Sequence, residues 1–158
     1  MHPPRNEKEW SVAGLPEWLV VARAYQTCDK VMQRRLADVG LTVPLYDLLM
    51  SLMKKEGQTQ QELAGRLLVV KSNVSSLVSR AERDGWVARK SNPEDGRGKI
   101  VTLTPEGKRL ARRGFRVQAD VVTTMLEAMT PTELAEVADV MQRVRKALLP
   151  LLDESEKG

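Results

Sequence analysis

Between Lys71 and Arg83 the side chains divide by size and chemistry. Ser72, Asn73, Ser75, Ser76 and Ser79 are short and carry hydrogen-bond donors or acceptors, with Lys71, Arg80 and Arg83 set among them. Short polar groups let a helix approach a groove wall closely and bond to base edges, while longer cations reach phosphates. A helix selected only for stability would expose Glu, Lys, Gln or Ala, because serine is a mediocre helix former. The pattern therefore favours a recognition helix over a merely solvated face. Further on, Ser91-Asn92-Pro93-Glu94-Asp95-Gly96-Arg97-Gly98 sets Arg97 between two glycines. An arginine on so slender a tip suits a narrow minor groove, where the negative potential is strongest, and Asp95 stands near enough to brace its guanidinium.

These groups need a scaffold, and the periodicity supplies one. Val70, Val74, Leu77, Val78 and Ala81 recur at helical spacing, predicting a helix over about 70–84 that Gly85 closes. Before it, Thr59-Gln60-Gln61-Glu62 fits a capping box, with Leu63, Ala64 and Leu67 facing inward and a turn at Leu68 and Val69. After it, 86–90 and 99–103 read as two short strands joined by the basic tip. Upstream, a long amphipathic helix from Pro16 to about Asp38 shows Val21, Tyr25, Cys28, Met32 and Leu36 as its stripe, and Gly40 is placed to end it. Thr42 begins a second helix with Leu45, Leu48, Leu49, Leu52 and Met53 inward, stopped by Gly57. The region 59–104 thus reads as helix, turn, helix and hairpin.

Composition narrows the class. The chain has 158 residues, 42% hydrophobic and 29% charged, which is ordinary for a folded domain. No apolar run approaches the roughly 20 residues that span a bilayer, and 1–10 lacks the apolar core of a signal peptide, so a cytoplasmic protein without membrane contact is expected. The charge is uneven. Lys54 to Arg116 holds 15 basic and 7 acidic residues, whereas Val117 to Gly158 holds 4 basic and 8 acidic. A local field of that sign attracts polyanions. One histidine, His2, and one cysteine, Cys28, give no zinc constellation, and no Gly-rich loop resembles a phosphate cradle. Ser51-Leu52-Met53-Lys54 formally matches a hydrolase Ser-x-x-Lys pattern, but its companion motifs are absent and chance explains it. No enzyme activity, metal or cofactor is expected. Cys28 reads as a small core residue; the competing reading is a redox-sensing thiol, although no second cysteine is available to resolve it.

The motifs acquire a common context in their order and spacing. Leu41-Thr42-Val43-Pro44, the Thr59 box, Lys71-Ser72-Asn73-Val74, Asp84-Gly85-Trp86-Val87, Asn92-Pro93-Glu94-Asp95-Gly96-Arg97 and Leu103-Thr104-Pro105-Glu106-Gly107 together resemble the MarR/SlyA family of bacterial winged-helix regulators, from about Pro16 to Leu149. The resemblance implies a mainly α fold with a small β-wing, in which 42–104 form a winged helix-turn-helix head and 16–40 and 105–152 supply dimerisation helices of one domain. It also implies a homodimer on a pseudo-palindromic operator in double-stranded DNA, with one recognition helix per subunit in successive major grooves. Ser72, Asn73, Ser75 and Ser76 would then face bases, Arg80 the backbone and Arg97 the minor groove, with Lys71, Asp95 and Lys99 completing the expected DNA-binding set. Leu68 stands where the family often has a turn glycine, and Val70 where it often has a Ser or Thr cap, a loss worth about 1 kcal/mol. Ser76 replaces a commonly basic residue.

The remaining helices fit a pairing role. Thr104-Pro105 opens a fifth helix to about Met129, with Lys108, Arg109, Arg112, Arg113 and Arg116 early in it, positioned either to contact phosphates or to be solvated. Thr130-Pro131-Thr132-Glu133 is a second capping box. Beyond it Leu134, Val137, Met141, Val144 and Leu148 make a coiled-coil-type seam, the expected dimer interface, and Pro150 is expected to end or kink the helix. The resemblance further implies a repressor released by a small aromatic or phenolic ligand held where the dimerisation helices meet the head. Trp18, Tyr25 and Asp47 are the candidates to line that pocket, core packing being the competing role for the two aromatics. A redox-responsive regulator acting through Cys28, or a winged-helix module that binds protein instead of DNA, are the alternatives.

Overall fold

The computed structural model describes residues 12–67, 71–94, 96 and 98–155, with the backbone alone at Lys71, Ser72 and 152–155. Two compact units divide it, one up to Gln118 and one from Ala119. The first contains α1 (Leu15–Ala37), α2 (Val43–Lys54), α3 (Gln60–Arg66), α4 (Lys71–Arg83), β1 (Val87–Ser91), β2 (Lys99–Leu103) and the start of α5 (Pro105–Met125); the second contains the rest of α5 and α6 (Pro131–Ser155). Helices with a small antiparallel wing are the architecture the sequence predicts.

The core of the first unit is built by the predicted stripes. Leu36 of α1, Leu45, Leu48, Leu49 and Leu52 of α2, Leu63 of α3, and Val74, Val78 and Ala81 of α4 are all buried, together with Val87, Val101 and Leu103 of the wing. Each leucine and valine among them contributes about 1.5–3 kcal/mol when removed from water. Three stripe residues depart from expectation. Met53 is 39% exposed, because the buried stripe of α2 stops at Leu52, two residues before the helix ends. In α1 the packing is confined to Met32 and Leu36 near its end, while Val21 and Tyr25 are exposed. Cys28 is half-buried and forms no disulfide.

Capping sets the local order of the head. Thr42 caps α2, its hydroxyl accepting from the Leu45 amide at 3.4 Å. At the start of α3 the Thr59 hydroxyl accepts from the Glu62 amide at 3.1 Å and Glu62 Oε2 accepts from the Thr59 amide at 2.8 Å. Lys55 Nζ lies 2.6 Å from Glu62 Oε1, and these bonds to the charged form pull the Glu62 carboxyl down to about 2. Its stabilising contribution is therefore complete above the ordinary value of 4.5 and is lost as the pH falls toward 2. Gly85, at φ 78°, adopts the left-handed conformation that ends α4 and lets the Trp86 amide reach the Ala81 carbonyl at 2.8 Å.

The wing pairs Val87 with Leu103 through Ser91 with Lys99, beginning one residue later than the sequence predicts. Gln58 extends it, its backbone exchanging bonds with Val101 at 3.2 and 2.7 Å. The buried Gln58 side chain also donates to the Ser51 and Lys55 carbonyls at 2.9 and 2.8 Å, satisfying the C-terminus of α2. Where the wing passes into α5, Thr104 Oγ1 donates to the Gly85 carbonyl at 2.7 Å and accepts from the Gly107 amide at 3.0 Å. Gly107 presses so close to the Trp86 carbonyl that a Cβ there would stand 1.9 Å from its oxygen. The Leu103-Thr104-Pro105-Glu106-Gly107 motif is thus a weld between wing, α4 terminus and α5.

In the second unit the Thr130 box forms as predicted, with Glu133 Oε2 accepting from the Thr130 amide at 2.7 Å. The helix it starts runs to Ser155 with Pro150 inside, so the expected end at Pro150 is passed. Proline removes one backbone bond there, and the Lys146 carbonyl that loses its donor is on an exposed residue that water can serve. Leu134, Met141 and Val144 are half-buried, and Val137 and Leu148 are exposed.

Candidate nucleic-acid interface

The fold sorts α4 into two faces. Val74, Val78 and Ala81 are buried, and Asn73, Ser75, Ser76, Ser79, Arg80 and Arg83 are exposed on the opposite side. Asn73, Ser76 and Arg80 share a shallow depression of about 300 Å³ with Leu77 and with Thr42 and Pro44 at the start of α2. Arg80 and Arg83 are held only loosely, at 3.8 and 4.0 Å from Asp84, so their guanidinium groups can turn to another anion at little cost. Lys99 is exposed at the outer end of β2, opposite Ser91. Leu68, Val70, Asp95, Arg97 and the side chains of Lys71 and Ser72 lie outside the described residues.

One residue of the interface is invisible in the sequence. Arg89 of β1, with its side chain 20% exposed, is paired with Glu82 of α4. It also reaches Ser79 Oγ of α4 at 3.1 Å and Gln60 Oε1 of α3 at 3.2 Å, while its own amide donates to Glu82 Oε1 at 3.2 Å. A planar fork presenting five donors in a fixed geometry ties β1 to both α4 and α3. Arg89 therefore fixes the angle of α4 relative to the wing and to α3. Its place two residues from Val87, on the same face of the strand, was the only signal available.

Behind the head, a cavity of about 500 Å³ is lined by Tyr46, Asp47, Met50, Ser51 and Lys54 of α2, Arg66 and Leu67 at the end of α3, and Phe115 and Gln118 of α5. Tyr46 is buried and donates to Gln118 Oε1 at 2.5 Å; burial, reinforced by Asp47, pushes its hydroxyl up to about 12. Burial also raises Asp47 above the ordinary carboxylate range, more than Lys54 lowers it. Among the described residues neither Lys54 nor Arg66 has an ion-pair partner. Of the three pocket candidates Asp47 lines this cavity. Trp18, 45% exposed, and Tyr25, 68% exposed, do not, and neither is a core residue.

The MarR family model matches residues 39–98, the span from the end of α1 through the wing loop. Over that span the chain matches the MarR family. It is similar to the HTH-type transcriptional repressor Mb2911 of Mycobacterium bovis, 28% identical over 69% of this chain and 78% of that protein. Among solved structures it resembles Sco3205 of Streptomyces coelicolor, a MarR family transcriptional regulator in complex with DNA, at 29% identity and TM-score 0.79, covering 89% of this chain and 95% of that one. It also resembles the PcaV transcriptional regulator of Streptomyces coelicolor with its natural ligand, at 26% identity and TM-score 0.73, covering 93% and 99%. A MarR-family transcriptional regulator with a DNA-binding winged helix is the function these likenesses and the fold share.

Within this winged-helix head the formal Ser-x-x-Lys pair sits on α2, where the Ser51 carbonyl is occupied by Gln58. Among the described residues no group of His, Cys, Asp and Glu is arranged to hold a metal ion. No described helix is long and apolar enough to cross a membrane.

Proposed function

We propose that this MarR-family regulator is a cytoplasmic homodimeric repressor that grips a pseudo-palindromic operator and is released by a small aromatic or phenolic ligand. The observation that carries the DNA half of this reading is the outward face of α4. Asn73, Ser75 and Ser76 present short, exposed polar groups, and Arg80 stands at the margin for a phosphate. In this reading Arg97 is the residue for the minor groove, with Asp95 close by in sequence, and Lys71 and Lys99 are the residues for phosphates. Pairing is supported by apolar surface left open: Leu15, Trp18 and Leu19 on α1, and Val137, Val140, Leu148 and Leu149 on α6, are all exposed. Surfaces of that kind on a stable protein mark contact sites. The seam from Leu134 through Val137, Met141 and Val144 to Leu148 is the surface assigned to a second copy.

Ligand release is supported by the cavity. Its aromatic and thioether walls suit a planar ring, and Lys54 and Arg66 suit a carboxylate or phenolate. A ligand there works only by binding better to a dimer whose heads are spaced wrongly for DNA, since equal affinity for both spacings would shift nothing. In a competition assay with labelled operator, hydroxybenzoates are expected to displace the DNA. Arg66→Gln should raise the concentration needed by about tenfold or more, the loss of one charge-assisted bond. An Arg66→Gln protein released as readily as wild type would show that the cavity is not the ligand site.

A further inference from the structure

We infer that the outer face of α5 is a second phosphate-binding surface, one that grips the duplex beyond the segment held by α4 and the wing; the inference rests on the DNA reading above. Arg109, Arg112, Arg113 and Arg116 fall at i, i+3, i+4 and i+7, and all four are exposed. Gly107, Leu110, Ala111 and Gly114 of the same helix are buried, so the arginines form a stripe on the side turned away from the core. The stripe spans about 10 Å at 1.5 Å per residue, comparable with three phosphates of one strand at 3.4 Å of axis each.

The spacing is costly without an anion. Arg109 with Arg112, Arg109 with Arg113, Arg112 with Arg116 and Arg113 with Arg116 are all like-charge neighbours at separations that destabilise a helix. Glu106 answers only Arg109, and no acidic residue occurs between Glu106 and Asp120. Lys108, beside them, is spent on Glu56 at 3.1 Å. Arg112, Arg113 and Arg116 have no ion-pair partner among the described residues. A face tuned for solubility alone would interleave glutamates. Guanidinium forks unopposed by acids match the bidentate geometry of phosphate oxygens.

Position favours nucleic acid over an acidic protein. Thr104 and Gly107 weld the first turn of α5 to the wing base and to the end of α4, so the stripe starts within two turns of the wing and moves with it as one piece. A duplex held by α4 and the wing would extend past that base, and its flanking phosphates are the nearest polyanion to the stripe.

The test uses the full chain and a duplex recovered by wild-type selection from a random library, made in two lengths: about two helical turns, and about five turns with the same centre. Wild type should bind the longer duplex more tightly and with a steeper salt dependence. The triple variant R112Q/R113Q/R116Q should keep wild-type affinity for the short duplex. On the long one it should lose about 0.9 in the slope of log K against log salt for each phosphate contact removed. Its thermal midpoint should be unchanged or raised, because the repulsion is relieved. A variant indistinguishable from wild type on the long duplex overturns the inference and turns the stripe toward an acidic protein. Equal weakening on both lengths overturns the flanking placement. If wild type selects and binds no duplex at any salt, the DNA reading itself fails and the inference with it.

Discussion

Replacing Gly107 with alanine is expected to unfold the head at temperatures where the wild type is folded. The added Cβ would stand 1.9 Å from the Trp86 oxygen and 2.9 Å from its carbon. Both are backbone atoms, and the same carbonyl accepts from the Thr104 amide at 3.1 Å, so relief requires parting α5 from the wing. The loss should exceed about 4 kcal/mol, which places the substitution among the severe ones and lowers the melting temperature by about 10 °C or more. Gly65→Ala is the control. It lies on exposed α3 with nothing within 4 Å of the added atom, and it should gain up to about 1 kcal/mol of helix propensity. Thermal melts followed by circular dichroism decide it: a Gly107→Ala protein that melts with the wild type would mean that the weld is not as close as described.

Arg89→Ala should cost more in DNA affinity than an exposed charge would, although Arg89 is assigned no contact with DNA. Its loss frees Glu82, Ser79 and Gln60 together, and α4 is then no longer held at a fixed angle to the wing. Charge-assisted bonds are worth about 1.5–3 kcal/mol, so a tenfold to hundredfold weaker complex is expected. Arg89→Lys should rescue little, because an ammonium lacks the rigid planar fork that meets Glu82, Ser79 and Gln60 together. Affinity is to be read at a temperature where the variant remains folded by circular dichroism. Unchanged binding by folded Arg89→Ala would show that the recognition helix is positioned by its hydrophobic face alone.

What was legible in the sequence follows the range of the forces. The Thr59 and Thr130 boxes are contained within four residues, and both form with the predicted partners. The division of α4 into Val74, Val78 and Ala81 against Asn73, Ser75 and Ser76 follows from the helical period alone. Interactions that close over long stretches of chain were not legible. Gln60 is 29 residues from Arg89, and Gln118 is 72 residues from Tyr46, so neither the hub of the head nor the hydroxyl that helps line the cavity could be read from local pattern. Gln58, between Gly57 and the Thr59 box, extends the wing through Val101, 43 residues away. Trp18 and Tyr25 looked like pocket or core aromatics because they sit on an amphipathic helix, yet both are exposed. An apolar stripe shows that a face wants to be covered without showing by what.

The most direct measurement of the central claim, that α4 and the wing form a DNA-reading head, is the affinity of the purified protein for the DNA upstream of its own coding sequence. It should be followed across a salt series beside a scrambled duplex of equal length. The account predicts saturable binding that prefers the upstream sequence, with log K falling linearly as log salt rises. Absence of binding to that DNA at the lowest salt would contradict it.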